Sequence, residues 1–223
     1  MSSRSVLLFF NAWKTPKDAD YWSVLEHEIL DIQACKIAPH QKIVSLHALA
    51  TDFSPKHESA ERIFKEAEAM LYQAICGKSV AEVLLERADP EAENMGLYRW
   101  KSDRVLKQDL SKASNFLSSN ELASLLALEQ LFFQFVLHQA KSKQLMEMKD
   151  YEAAFLHLLK TVAPSYDFKP GMQSKTAALT EVRRRYDRFD AKRKSKELAN
   201  HAEINWEAFR ENLSNPRFRG AYF

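Results

Sequence analysis

Apolar residues recur at intervals of three and four along most of this chain, which is the spacing of amphipathic helices. Residues 20–33 are typical, because Leu25, Ile29 and Ile32 fall on one side of a helix that Asp20 can cap. The same spacing predicts further helices over residues 41–50, 56–75, 80–88, 109–116, 121–143, 149–162, 173–199 and 203–212. We therefore predict an all-α fold, a single compact bundle of about eight helices.

The helix predicted over residues 121–143 is expected to be the central one. Its run from Leu125 to Leu137 is apolar on most sides, whereas a helix at the surface keeps a polar face. Ser118 or Ser119 is placed to cap its first turn. The bundle is therefore expected to pack around this helix.

Proline and serine residues mark several of the predicted helix ends. Pro39 is expected to kink or divide the first helical stretch, because proline lacks the N–H that a helix interior needs. Ser54 and Pro55 fit the N-cap and the first position of the next helix. Ser79 and Glu82 have the spacing of a capping box, in which each side chain bonds the other residue's backbone N–H.

Glycine is scarce, with 4 residues in 223, where ordinary usage would give about 15. Because hairpins, bulges and phosphate-binding loops rely on glycine, this argues against a β-rich fold, a Rossmann domain and a P-loop enzyme. Gly77-Lys78-Ser79 resembles the end of a P-loop, but residue 72 is tyrosine instead of glycine and a helix precedes the motif. We interpret it as the end of one helix and the start of the next.

The chain is expected to have three parts. These are an apolar N-terminal segment over residues 1–19, a helical core over residues 20–165, and basic C-terminal helices with a tail over residues 172–223. The apolar run Val6–Phe10 is shorter than the core of a signal peptide. No run approaches the 18 apolar residues of a membrane span. We therefore expect a cytoplasmic protein without a membrane partner.

Charge is balanced overall but uneven along the chain. The net charge of +2 neither implies nor excludes a nucleic-acid partner. Residues 173–200 have nine basic and four acidic side chains, a local charge of +5. Arg183, Arg184 and Arg185 are candidate contacts to a phosphate backbone, because basic side chains release counterions there. The alternative is a solvated helix face with ion pairs between residues four apart.

The segment from Glu82 to Asn115 is dense in polar residues. Glu82, Glu86 and Asp89 are spaced so that they can share a helix face, and paired carboxylates can bind a metal or transfer protons. In an enzyme the catalytic residues would be Glu82, Arg87 and Asp89. The binding candidates in this segment are Asn94, Trp100, Lys101, Lys107 and Asp109.

The same residues also have a structural interpretation. Arg87 can pair with a carboxylate, and Asn94 can tie its loop through backbone hydrogen bonds. No two histidines have the His-x-x-x-His spacing, so no metal site and no cofactor are predicted. Cys35 and Cys76 are expected to be free thiols of a reducing compartment. A divalent metal enters only in the enzyme interpretation.

These residues also carry a resemblance to a known family. Its motifs are matched in order and spacing by Gly77–Glu82, Arg87–Asp89, Asn94–Leu97, Trp100–Lys101, Asn115 and Glu121–Leu122. Together they resemble the C-terminal region of virulence-associated RhuM-family proteins, over about residues 20–160. The resemblance implies a bacterial protein linked to mobile elements or pathogenicity islands, and it implies no established reaction.

Two departures limit what the resemblance carries over. Longer family members begin with a winged-helix-like DNA-binding region, and this chain starts close to where that region would end. DNA binding is therefore not implied on that ground. Ser102 and Ser114 stand where glycine and lysine are common in the family, so that lysine cannot be catalytic here.

Three functional interpretations follow. The first is a macromolecule-binding regulator or effector of a mobile-element system, with a nucleic acid or a protein as its partner. The second is a nuclease-like toxin, in which Glu82 and Asp89 would bind metal or act as the base. Arg87 and Lys101 would then hold phosphate, and Trp100 would stack on a base. The third is a scaffold that forms a homodimer through the long apolar helix and the apolar N-terminal run.

Overall fold

The computed structural model describes residues 20–56, 58–164, 167 and 174–214, with side chains in the last range described through residue 200 and at residue 210. Seven α-helices occur in these ranges: α1 (Asp20–Ala34), α2 (Pro39–His47), α3 (Glu58–Cys76), α4 (Val80–Arg87), α5 (Ser119–Lys141), α6 (Met148–Val162) and α7 (Lys175–Ser214). Two short 3-10 turns, Asp109–Ser111 and Ala113–Phe116, precede α5. No strand occurs in the described ranges, so the all-α class is confirmed, with seven helices where about eight were predicted.

Helix α5 is central, as its apolar run predicts. It contacts α1, α2, α3 and α6, and Leu128, Phe132 and Val136 are buried along it. The Phe132 ring packs edge-on against Phe155 of α6, with 5.4 Å between the ring centroids. Burial of these side chains is the main stabilising contribution, since truncating one buried phenylalanine typically costs about 3–5 kcal/mol.

The serine caps and the division at Pro39 are confirmed, whereas the helix start at Pro55 is not. Ser79 and Ser118 both form capping boxes at the starts of α4 and α5. The first helical stretch is divided, since α1 ends at Ala34 and Pro39 starts α2, where its missing N–H has no helical partner to lose. Helix α3 begins at Glu58 and not at Pro55. The Ser54 hydroxyl instead accepts the N–H of Lys56 in a turn that ends before the helix.

The last helix is longer than predicted. The sequence suggested a break between residues 199 and 203, but α7 runs unbroken over 40 residues. Residues 199–203 contain neither glycine nor proline, so no residue there removes a helical hydrogen bond or favours a left-handed turn. Its first half packs against α4 and the turn Asp109–Ser111.

Several other predictions can be placed. Cys35 and Cys76 are free thiols, as predicted. Within the described ranges, no helix has both the length and the apolar character that crossing a bilayer requires. The Val6–Phe10 run and the tail after residue 214 lie outside the described residues. The division into three parts stays a prediction.

Candidate functional site

Glu82 is the reciprocal partner in the first capping box. Its carboxylate accepts the backbone N–H of Ser79 at 2.7 Å, and the Ser79 hydroxyl accepts the N–H of Glu82 at 3.3 Å. The hydrogen bond from the Ser79 backbone is the main reason why the pKa of Glu82 is lowered. A carboxylate with a lowered pKa is a weaker base, so these contacts favour a structural role for Glu82.

Arg87 joins the end of α4 to the start of α5. Its guanidinium donates to both carboxylate oxygens of Glu121, at 2.6 and 2.7 Å, and to the carbonyl oxygen of Phe116 at 2.7 Å. The Arg87 hydrogen bonds are the main reason why the pKa of Glu121 falls to about 2. Glu121 also accepts the N–H of Ser118, at 2.8 Å. Two parallel charge-assisted bonds make this pair a rigid brace.

Asp89 does not share a helix face with Glu82 and Glu86, which corrects the prediction from spacing. Helix α4 ends at Arg87, and Ala88 is extended, with ψ 91°. Asp89 therefore lies beyond the end of the helix, and the spacing of seven residues from Glu82 does not place the two side chains on one face. Its carboxylate instead accepts the N–H of Glu91 at 2.8 Å and forms a turn.

The loop after Asp89 folds back over the end of α4. Met95 is fully buried, with φ 55°, and Gly96 has φ 75°. A Cβ on Gly96 would lie 1.8 Å from the carbonyl oxygen of Arg87, far inside van der Waals contact. Only glycine fits this close backbone approach. The loop is therefore fixed against the residue that braces α5.

The candidates between residues 100 and 115 lie in a second hydrogen-bonded segment. Buried Asp109 accepts the N–H of Leu106 at 2.9 Å, and its carbonyl oxygen accepts from the Asn115 amide at 2.8 Å. Lys107 forms an exposed ion pair with Asp187 of α7 at 2.7 Å. Two further candidates differ in exposure, since the Trp100 ring is half-buried against the core and Lys101 is exposed.

An open cleft of about 600 Å³ lies where these pieces meet. Its lining residues are Arg87, Asp89, Ala92, Glu93, Asn94, Gly96, Leu97, Tyr98, Ser118 and Glu121. The structure thus brings three predicted site residues together, Arg87, Asp89 and Asn94, while Glu82, Trp100 and Lys101 do not line the cleft.

The lining carries three carboxylates against one guanidinium, and such a surface repels phosphate. In the described part of the chain, no three His, Cys, Asp or Glu side chains are placed so that they could hold one metal ion together. Catalytic roles for these residues stay a prediction. Glu121 was singled out only as part of the family motif. No local pattern could predict its contact with Arg87, because the two residues are 34 positions apart in the sequence.

The first half of α7 is docked through its apolar side. Val182, Tyr186 and Phe189 are buried, and the Tyr186 hydroxyl donates to the carbonyl oxygen of Val105 at 3.1 Å. Arg185 donates to the carbonyl oxygens of Leu85 and Ala88, at 2.6 and 3.0 Å. These are the carbonyls that the end of α4 leaves without helical partners. Arg185, a predicted phosphate contact, thus ties α7 to α4.

Most of the other basic side chains of α7 face solvent, whereas Lys175 and Arg193 are half-buried. We define the outer basic face by its exposed members, Arg183, Arg184, Arg188, Lys192, Lys194 and Lys196. Arg184 pairs with Glu181 at 2.8 Å, Lys194 pairs with Asp190 at 2.8 Å, and Lys192 pairs with Glu91. The ion pairs expected for a solvated helix face, the alternative to phosphate binding, are therefore present.

Arg183, Arg188 and Lys196 form no ion pair with a described carboxylate. Of the three predicted phosphate contacts, Arg183 and Arg184 are exposed, whereas Arg185 is half-buried.

Comparison with known proteins identifies the family. No curated protein and no solved structure gave a significant match. The model of the virulence protein RhuM family matches residues 10–197, which is most of the chain. The match includes the whole segment that carries the resemblance, and it extends through the basic half of α7. This chain therefore belongs to the RhuM family of virulence proteins.

Proposed function

We propose that this protein is a macromolecule-binding regulator or effector, which contacts the phosphate backbone of a nucleic acid through the outer basic face of α7. One observation carries the proposal. The apolar side of the helix is docked on α4, so six basic side chains between residues 183 and 196 are exposed around the remaining sides of the helix. These side chains extend over 14 residues, which is about 20 Å along the helix axis.

The ion pairs on this face do not prevent such binding. Arg184 is about two-thirds exposed and pairs with one carboxylate three residues away. Exposed pairs of this kind contribute about 0–1 kcal/mol, so a basic side chain can exchange its carboxylate for a phosphate at little cost. Arg183, Arg188 and Lys196 have no described carboxylate to exchange. These three are expected to make the first contacts.

The test is a titration of the full chain into labelled single-stranded and double-stranded DNA and RNA, followed by fluorescence anisotropy at low salt. We expect binding to at least one of these probes, with an affinity that falls as salt increases. The double variant R183E/R188E is expected to weaken binding at least tenfold, because it reverses two unpaired charges. Arg185 is left intact, since its two bonds to α4 carbonyls hold the helix.

The matched control is the double variant K56E/K160E. Both lysines are exposed and lie outside α7, and the change in net charge is the same. It is expected to bind within about twofold of wild type, since it leaves the outer basic face unchanged. Absence of binding to every probe at low salt would remove the proposal. Equal losses in the two double variants would also remove it.

A second candidate function is an enzyme whose site is the cleft beside α4. It is supported by the convergence of Arg87, Asp89 and Asn94 on a cavity of about 600 Å³. In a nuclease-like toxin, D89A and N94A would relieve toxicity on expression while the circular dichroism spectrum stays that of the folded protein. Wild-type protein that is harmless, and inert towards DNA and RNA with and without Mg²⁺, would rule it out.

A further inference from the structure

The exposed side of the central helix α5 has no acidic or basic residue over most of its length. We define the α5 outer face by its exposed residues Asn120, Ala123, Ser124, Leu126, Ala127, Gln130, Leu131, Gln134 and His138. None of them is aspartate, glutamate, lysine or arginine. By contrast, exposed positions of α3 include Glu58, Glu61, Arg62 and Lys65. Solvated helix faces normally carry charge, and its depletion is the compositional mark of an interface core.

The charged residues of α5 are directed elsewhere. Glu121 is paired with Arg87, and Glu129 is buried with its carboxylate 2.9 Å from the ammonium of Lys42. Lys141 is the last residue of the helix. Within the outer face, Leu126 is 45% exposed and Leu131 is 51% exposed. This face therefore exposes apolar area without a charged residue between its two ends.

The neighbouring helix α1 adds a polar rim to this face, since its exposed residues include Asp31 next to Leu30. The Gln33 amide of α1 donates to the Gln130 amide oxygen at 3.1 Å, which places the two helices side by side there. Leu30, one turn before Gln33, is 46% exposed. With lengths of 23 and 15 residues and a width of about 10 Å each, the two helices offer about 550 Å² per copy. Two such faces give about 1,100 Å², just above what a specific interface needs.

We infer that the α5 outer face binds a second copy of this chain in a two-fold homodimer. In a two-fold interface the same patch meets itself, so a face without charge meets no like charge. Ala123 and Ala127 are small and one turn apart, which lets two helices approach closely. An antiparallel pairing centred near Gln130 also sets the positive end of each helix dipole beside the negative end of the other. The inference does not depend on nucleic-acid binding.

The first experiment is size-exclusion chromatography with light scattering on the full chain, at about 50 μM and under reducing conditions. Wild type is expected to have twice the monomer mass of 25.8 kDa. A127E and Q134K are each expected to give monomers with an unchanged circular dichroism spectrum, because each places a charge in the seam. A153E is the matched control, an exposed alanine of α6 outside the face, and is expected to remain dimeric.

A cross-link tests the pairing itself. Q130C in a C35S background leaves one exposed cysteine, and mild oxidation is expected to convert most of the protein to a disulfide-linked dimer. The same treatment of A153C in that background is expected to leave monomers. A monomeric wild type overturns the inference, and so does a dimer that both A127E and Q134K leave intact. Equal cross-linking of the two cysteine variants also overturns it.

Discussion

Gly96→Ala is expected to destabilise the protein much more than Gly77→Ala, although both glycines have a left-handed φ, 75° and 66°. At Gly77 no atom lies within 4 Å of the added Cβ, so the change costs only the backbone preference, about 1–2 kcal/mol. At Gly96 the Cβ would lie 1.8 Å from the carbonyl oxygen of Arg87. That oxygen belongs to the backbone of α4 and cannot rotate away as a side chain could.

The magnitude follows from the displacement required. Moving the Gly96 loop out to an ordinary contact of about 3.4 Å requires a shift of about 1.6 Å, which pulls on the fully buried Met95. With a strain of about 2–3 kcal/mol added to the backbone cost, we expect a loss of about 3–5 kcal/mol. For a domain of this size, that corresponds to a fall of about 6–20 °C in Tm, against about 2–8 °C for Gly77→Ala.

The assay is urea unfolding of both variants, followed by circular dichroism at 222 nm and fitted for the free energy of unfolding. A loss for Gly96→Ala within about 1 kcal/mol of that for Gly77→Ala would refute the reasoning. It would mean that the loop can leave the end of α4 without cost.

Three further predictions concern other contacts. Arg87→Ala is expected to cost about 2–3 kcal/mol, because the Glu121 carboxylate loses both of its guanidinium bonds. Since Arg87 holds the pKa of Glu121 at about 2, wild type should lose this contribution as the pH falls from about 4.5 towards 2, and Arg87→Ala should not. In urea unfolding, Arg185→Ala is expected to lower the free energy of unfolding by about 1–3 kcal/mol, whereas Arg184→Ala is expected to lower it by less than about 0.5 kcal/mol. Burial lowers the pKa of His47 to about 4, whereas an unfolded histidine titrates near 6.5. Stability should therefore fall as the pH falls from about 6.5 to 4, and His47→Phe should make that slope shallower.

Each of these has a contrary outcome. If Arg87→Ala keeps the acid dependence of wild-type stability, the Arg87–Glu121 pair is not the source of that dependence. The docking role of Arg185 is wrong if Arg184→Ala destabilises the protein equally. A pH slope between 6.5 and 4 that is unchanged in His47→Phe would show that His47 does not contribute to it.

Local signals in the sequence are sufficient for much of the fold. The caps at Ser79 and Ser118 follow from a serine and a glutamate three residues apart, which is a contact within one helical turn. The central position of α5 follows from its apolar run. The continuity of α7 was not predicted, because the sequence was divided into helices over residues 173–199 and 203–212 although no residue between them stops a helix.

The candidate site was harder to predict, because its contacts are distant in the sequence. Arg87 and Asn94 do reach the same cleft, as a dense polar segment suggested. The carboxylate that holds Arg87, Glu121, lies 34 residues away, and no local pattern specifies such a pair. Arg185 looked like its exposed neighbours, yet it faces α4, since residues one apart on a helix point about 100° apart. The orientation of a basic residue depends on where its helix docks.

The most direct test of the proposed function is the salt dependence of nucleic-acid binding for wild type and R183E/R188E. For a duplex, each lost phosphate contact reduces the slope of log K against log salt by about 0.9. We predict that the double variant binds more weakly and that its slope is shallower by about 2, while K56E/K160E keeps the wild-type slope. An unchanged slope in R183E/R188E would show that the outer basic face of α7 does not contact phosphate, and it would contradict the account.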